Sequence, residues 1–388
     1  MLGLSMIVLA CLISILGYLI TPDQTPYAND QNPELHIKTP GFRVQFLEVR
    51  RNTDIEEVNW FNRMIFGAPN PLAGYTAYQY RFVGGDIEIE EYTGNTPNHG
   101  ALSRFNLADV VFALQPGSKP LYDSLHQNIH YLPINAVDTK MVSVVELQER
   151  VKSEHLVHKT YALGTDLLGR DLLSRLLIGT RISLTVGLIS VIISIFIGIL
   201  LGSLAGYYRG YVDTAISWLI NVVWSIPTLL LVIAITLVLG KGITQVFIAV
   251  GLTMWVDVAR IVRGQVLSLR EKEFVEAGKA LGYKNTRIIF RHILPNVMGP
   301  VVVMAASNFA SAILTEAGLS FLGIGAQPPV PSWGEMTNAH HGYILMDKAY
   351  LAFIPGAAIM VLVLSFMLVG NGLRDAMDTK TSDSQPLV

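Results

Sequence analysis

A chain of 388 residues that is 51% hydrophobic and only 15% charged, with mean hydropathy +0.43, departs from soluble domains, where about a quarter of residues are charged. The formal net charge of −2 excludes a general attraction to nucleic acid. A single cysteine, Cys11, excludes any disulfide within the chain.

Crossing a bilayer takes about 20 apolar residues. Six runs qualify: Met1–Ile20, Ile182–Tyr207, Ala215–Leu239, Ile243–Val262, Val297–Leu319 and Leu351–Gly370. In lipid the backbone must satisfy its own hydrogen bonds, so each is expected to be a helix. The first has no basic flank before it and no small-residue cleavage pattern after it. It therefore reads as an anchor helix and not as a signal peptide.

Residues 21–160 are a different material, rich in Pro, Asn, Asp and Gln. Phe42–Phe46 and Asp86–Glu90 alternate apolar and polar residues, and Ala108–Leu114 is a short apolar run. All three predict strands, with turns at Gly84-Gly85 and Pro116-Gly117. Met141–Lys152 predicts a helix. About 140 residues suffice for a small α+β domain. Next, Leu163–Arg181 carries paired leucines at helical spacing, with Asp166, Arg170, Asp171 and Arg175 between them. That pattern predicts an amphipathic helix at the membrane surface leading into the second span. The second span holds Gly198, Gly202 and Gly206, a row of small residues that lets another helix come close, either within this chain or in a partner.

Charge sets the orientation. From Arg260 to Arg291 there are eight Lys/Arg and three Glu, whereas Gly318 to Tyr350 holds one basic residue, Lys348. Positive loops stay cytoplasmic. Six spans then place both termini in the cytoplasm and residues 21–181 outside. The expected division is a first helix (1–20), an insert (21–160), an entry helix (161–181), a core of five spans (182–372) with a cytoplasmic loop (260–292), and a tail (373–388).

Within that loop, Glu271–Leu281 predicts a helix with Phe274, Ala277, Gly278 and Leu281 on one stripe. Gly282 suits the left-handed position that ends a helix. Asn285 is expected to cap a second short helix, Thr286–His292, before Pro295 opens the next span.

Four other features invite chemistry. Glu316 is an acid in the fifth span, read either as a pathway or gating group or as a hydrogen-bond partner for the glycine-rich stretch after it. Asp257 with Arg260 and Arg263 reads as an ion pair at the membrane edge, or as a pathway residue. His126 and His130 are four apart, but Gln127 stands where a zinc protease needs a base. His340-His341 carry only a weak suggestion of nickel. No phosphate-binding G-x-x-x-x-G-K-[ST] sequence occurs; Gly240-Lys241-Gly242 lacks its spacing.

Glu276-Ala277-Gly278, Gly282 and Leu294-Pro295 have the order and spacing of the EAA motif in permeases of ABC importers, and Arg291–Asn296 resembles the form found in the peptide/nickel branch. Gly164-Thr165-Asp166 with Gly169-Arg170-Asp171 is similar to that branch's entry motif. Thr315–Gly323, Gln327–Pro329 and Pro331–Gly334 are similar to its fifth-span exit. The resemblance covers residues 163–372 and says nothing about 21–160. A basic stretch normally precedes the first span in this family and is missing here, so the resemblance expects the true start upstream.

The resemblance implies an all-α polytopic fold, the six-helix type I ABC importer permease; the strand and turn pattern of 21–160 adds an extracytoplasmic α+β insert between helices 1 and 2. It implies a subunit of the inner membrane that does no covalent chemistry. Its partners would be a homologous second permease, two ABC ATPases that bind ATP and Mg, and an extracytoplasmic substrate-binding protein. The loop would be a coupling helix seated in an ATPase groove, and the cargo a dipeptide or oligopeptide. Nickel or another small solute is the alternative cargo, and a membrane-anchored sensor or adaptor the alternative class.

Overall fold

The computed structural model describes residues 1–55, 58–94, 96–123, 125, 127–240 and 242–377. They fall into two compact units, one of Met1–Ile15 with the chain from Leu176 onward, the other of Leu16–Arg175. The chain opens with α1 (Leu2–Leu16). Its last carbonyls, on Ser14 and Ile15, accept hydrogen bonds from the Arg181 guanidinium at 2.6 and 3.3 Å. A cation at a helix C-terminus satisfies groups that have no intrahelical donor.

The second unit is built on an antiparallel sheet with short helices between its strands. In chain order it contains β1 (Phe42–Arg50), α2 (Trp60–Phe66), β2 (Leu72–Val83), β3 (Asp86–Glu91), β4 (Leu102–Asn106), α3 (Leu107–Val111), β5 (Leu121–Tyr122), β6 (Asn128–Tyr131), β7 (Lys140–Ser143), α4 (Val144–Arg150) and β8 (Leu156–Tyr161). The main sheet runs β4-β3-β2-β1-β8, and β5-β6-β7 form a small second sheet. Strand period two sends alternate side chains to opposite faces. Leu47 and Val49 join Ile87, Ile89, Leu107, Val110 and Leu147 in one core. Val44 and Phe46 join Leu35, Tyr92 and Tyr161 in another. The turn at Gly84-Gly85 joins β2 to β3, with Gly84 at φ +61°.

Two expectations here are corrected. Ala108–Leu114 is largely helix, because the Asn106 side chain accepts from the Ala108 N–H at 3.0 Å and caps α3. Short buried apolar runs fit strand or helix equally, and the cap decides. The stretch from Met141 begins as strand and turns helical only at Val144.

The amphipathic entry helix is also corrected. Residues 163–171 form a closed loop, and helix begins at α5 (Leu172–Tyr208). The residues expected to face solvent, Asp166, Arg170, Asp171 and Arg175, are all buried. Asp166 explains the loop. Its carboxylate accepts from the Leu168 and Arg170 N–H groups at 2.9 and 3.0 Å, and it pairs with the Arg170 guanidinium at 2.7 Å. Arg175 approaches the same oxygen at 3.5 Å. A buried charge persists only when paired and hydrogen-bonded in this way. Gly164 and Gly169 take positive φ. A Cβ at Gly169 would lie 1.8 Å from the Asn32 carbonyl, so no other residue fits. Asp171 then caps α5 by accepting from the Ser174 N–H.

The remaining helices are α6 (Gly210–Trp224), α7 (Thr228–Leu239), α8 (Ile243–Leu269), α9 (Glu273–Ala280), α10 (Asn285–Ile288), α11 (Leu294–Phe321), α12 (Trp333–His340) and α13 (Tyr350–Met377). Among the described residues five helices are long and apolar enough to span a membrane: Leu2–Leu19, α5, α8, Asn285–Phe321 and α13. The expected span Ala215–Leu239 is corrected. It is a broken pair, α6 and α7, bent by 92° at Ser225-Ile226-Pro227. Proline cannot continue the ladder and pushes the residue before it out of the helical region.

Glycines set the packing. Cβ atoms at Gly198, Gly202 and Gly206 of α5 would lie 2.5–2.8 Å from Val258, Ala259 or Val266 of α8. The glycine row therefore faces α8 of the same chain. Gly3 of α1 meets Ser365 of α13 in the same way.

Candidate functional site

The charged loop between α8 and α11 is built, not slack. Its first helix, α9, begins at Glu273, two residues later than expected, behind a Lys272 cap in extended conformation. It ends in a full Schellman turn. The Gly282 N–H donates to the Lys279 carbonyl at 2.9 Å, and the Tyr283 N–H to the Gly278 carbonyl at 3.0 Å. Gly282 sits at φ +76°, the left-handed geometry that glycine alone adopts without strain.

The second helix is corrected at its start. Lys284, not Asn285, holds the cap position. The Asn285 side chain instead accepts from the Tyr207 hydroxyl at 2.8 Å, tying α10 to the end of α5. Helix continues from α10 through a wider turn, Ile289–Ile293, into α11, with Pro295 in its first turn. There is thus no second free-standing helix; the loop is one short helix followed by an early start of the span.

Beneath α9 and α10 lies an apolar cluster of Val275, Ile288, Ile289, Ile293, Leu294 and Val297. It joins Val258, Val262 and Val266 of α8 with Tyr207 of α5. Val275 and Ile288 are 0 and 1% exposed. Taking each out of water contributes roughly 1.5–3 kcal/mol. Arg287 lies over the Tyr283 ring at 4.0 Å, and Tyr283 stacks on His292. Arg209 and Glu271 form an exposed ion pair.

The outward face is the stripe foreseen from spacing. Phe274 is 42% exposed and Leu281 70%, and Glu276 and Ala277 are also exposed. Gly278 departs from that stripe. It is buried against Tyr283 and Ile288, where a Cβ would make ordinary contact at 3.4–3.8 Å, so its smallness faces inward. Val275, absent from the stripe, is the residue that spacing missed. Reading Glu271–Leu281 for its buried side, Val275 and Gly278 three apart, would have found it.

The other candidates separate. Asp257 lies near the middle of α8, exposed. Among the described residues it makes neither hydrogen bond nor ion pair. The expected pairing with Arg260 and Arg263 is corrected, because Arg263 pairs with Asp213 at 2.5 Å and Arg260 lies over the Trp224 ring at 4.0 Å.

Glu316 is 1% exposed. Its Oε1 accepts from the Ser320 hydroxyl at 2.6 Å, and that hydroxyl oxygen accepts from the Ala326 N–H at 3.1 Å. Gly325 packs so tightly on Ser320 that a Cβ would clash at 2.0 Å. Glu316 thus anchors the turn after α11. His126 and Lys241 lie outside the described residues, and His130 sits in β6. Among the described residues no group of three His, Cys, Asp or Glu could hold a metal.

The model of the family described as "Binding-protein-dependent transport system inner membrane component" matches residues 198–383. The dipeptide transport system permease protein DppC of Alkalihalophilus pseudofirmus is 44% identical over 217 residues, 56% of this chain and 71% of that protein. This chain belongs to that transport family. A second relative of the permease, the oligopeptide permease OppC of Bacillus subtilis, is 41% identical over 223 residues, covering 57% and 72% of the two chains. The glutathione permease GsiD of Pectobacterium atrosepticum is 43% identical over 218 residues, covering 56% and 72%. A structure of the MetNI methionine ABC transporter in an inward-facing conformation aligns over 53% of this permease and 97% of its own chain, with TM-score 0.44 and 18% identity. The permease is a multi-pass protein of the inner membrane and a transport component.

Proposed function

We propose that this chain is one of two permease subunits of an ATP-driven importer for dipeptides or oligopeptides, with the type I importer fold. The observation that carries the reading is the α9–α10 segment. It is locked from below to α5, α8 and α11 and exposes an apolar, partly acidic surface above. A loop that only obeyed the charge rule would need neither the Schellman turn nor the apolar keel. The named relatives, carriers of dipeptides, oligopeptides and glutathione, support the cargo class.

In this reading the segment seats in a groove of an ATPase subunit. Closure of the two ATPases on ATP and Mg pushes Phe274, Ala277 and Leu281, and the cluster under them passes that push to three long helices. The chain itself binds no nucleotide and breaks no bond. A substrate-binding protein delivers cargo on the outer side, where the sheet unit lies; both termini are cytoplasmic. Asp257, a lone acid half-way along α8, faces the second permease or the pathway, since a charge at that depth must avoid lipid.

Affinity purification of the chain from its native membrane tests this. An ATPase, a second permease and vanadate-sensitive ATP hydrolysis are expected in the eluate, and a strain without the chain loses uptake of labelled dipeptide. A purified assembly that hydrolyses no ATP, or undiminished uptake in the deletion strain, sinks the proposal.

A further inference from the structure

The sheet unit contains a cavity of about 460 Å³, within the range of small-molecule sites. Segments far apart in sequence build it: 22–32, 63–72, the neighbouring strands β1 and β8, and Asp171. Its walls are fixed. Asp23 accepts from Thr25 and from the Asp30 N–H, the Ser174 hydroxyl accepts from the Asp23 N–H, and the Ala68 N–H donates to the Gln24 carbonyl.

Its lining is charged but unbalanced. Lys159 is committed to Glu48 at 3.0 Å. Asp30 feels Lys159 and Arg51 only through space and forms no ion pair with either among the described residues. The Asp30 carboxylate makes no hydrogen bond among the described residues, and Asp171 accepts only from Ser174 and its neighbours.

A second, independent observation points to a ligand. Tyr161 is 7% exposed, its ring held in the apolar core with Val44 and Phe46. Its hydroxyl has no hydrogen-bond partner among the described residues and is not sealed in protein. It lines the cavity within the field of Asp30, Asp171 and Asp23. A hydroxyl that opens on the cavity without a protein partner is free to donate to or accept from a ligand placed there. Burial pushes the Asp30 and Asp171 carboxyls up from the ordinary range, so each gains from an arriving cation. A metal ion is the wrong guest, because among the described residues no three of these groups converge closely enough. Arg63, on α2 at the rim, is exposed and makes no ion pair among the described residues.

We propose that this cavity binds a small zwitterion with a free primary ammonium, an amino acid or dipeptide. Its ammonium lies between Asp30 and Asp171 beside the Tyr161 hydroxyl, and its carboxylate turns to Arg63. The site is separate from the transport reading: an importer of another cargo could carry it, and a peptide importer could lack it.

The test is calorimetric titration of the full chain in lipid nanodiscs with dialanine, N-acetyl-dialanine and dialanine amide. Saturable dialanine binding is expected. Acetylating the ammonium, or Asp30→Asn, weakens it by at least ~10-fold, the worth of one charge-assisted hydrogen bond. Tyr161→Phe, which keeps the packing, weakens it by about 3–10-fold. Arg63→Ala weakens dialanine but leaves dialanine amide unchanged. Cooperative thermal unfolding of each variant, with a midpoint no lower than the parent's, shows that the fold survives. No saturation up to about 10 mM, at the weak limit of specific affinity, overturns the proposal. So does equal binding of the acetylated peptide, parent-like binding by both Asp30→Asn and Tyr161→Phe, or competition by calcium chloride alone.

Discussion

Gly282 and Asp30 show how single positions divide between structure and function. Gly282 holds φ +76° with open space around it, so the constraint is backbone geometry and not crowding. Gly282→Val forces a branched side chain into left-handed backbone, at a cost of at least ~1–2 kcal/mol. The turn at the end of α9 shifts instead of the whole protein unfolding. Uptake is expected to fall by an order of magnitude or more while ATP hydrolysis in the purified complex continues. Wild-type uptake in this variant would remove the turn from the mechanism. Asp30 runs the other way. Burial raises its carboxyl above the ordinary value of 3.8, with Lys159 opposing. A raised carboxyl destabilises the fold only when ionised. The penalty is absent below the ordinary value, sets in as pH rises through the raised one, and is complete above it. Asp30→Asn is therefore expected to raise the thermal midpoint at neutral pH and to flatten its decline between acid and neutral. An unchanged profile counts against the burial argument.

Among the elements, the α9–α10 segment depends on its keel. Truncating Ile288 or Val275 to alanine is expected to cost about 2–5 and 1–3 kcal/mol of local stability respectively. Hydrogen exchange of the α9 amides should speed up, and uptake should drop with ATP hydrolysis retained. Exchange unchanged in α9 would mean that the segment is held from elsewhere. The apolar spans, the β2–β3 turn and the Gly282 terminator were legible because each rests on local rules of length, alternation or φ. The loop at 163–171 was not, since leucines at helical spacing look alike whether they face lipid or a buried Asp166. The α6–α7 break was masked by an apolar run that continues across Pro227. Val275 escaped because the visible stripe on α9 is its exposed face. The Tyr161 cavity escaped because segments more than a hundred residues apart converge on it.

At the level of the molecule, the sheet unit enters and leaves the chain at one point. Phe42 and Tyr161 are paired neighbours across β1 and β8, so a two-glycine bridge can replace residues 42–161. The loop around Asp166 keeps its contacts to residues 29–38 in that variant and loses one bond to the sheet, from the Gly164 N–H to the Tyr161 carbonyl. Such a deletion is expected to keep assembly with the ATPases and to lose delivery of cargo. Full-rate delivery would show the sheet to be dispensable. The 92° break between α6 and α7 carries a further consequence. Trp218, Trp224 and Leu230 lie beside the break and are exposed. A subunit synthesised alone would be an orphan with a raw flank, and envelope proteases should clear it within minutes unless its sister is made alongside.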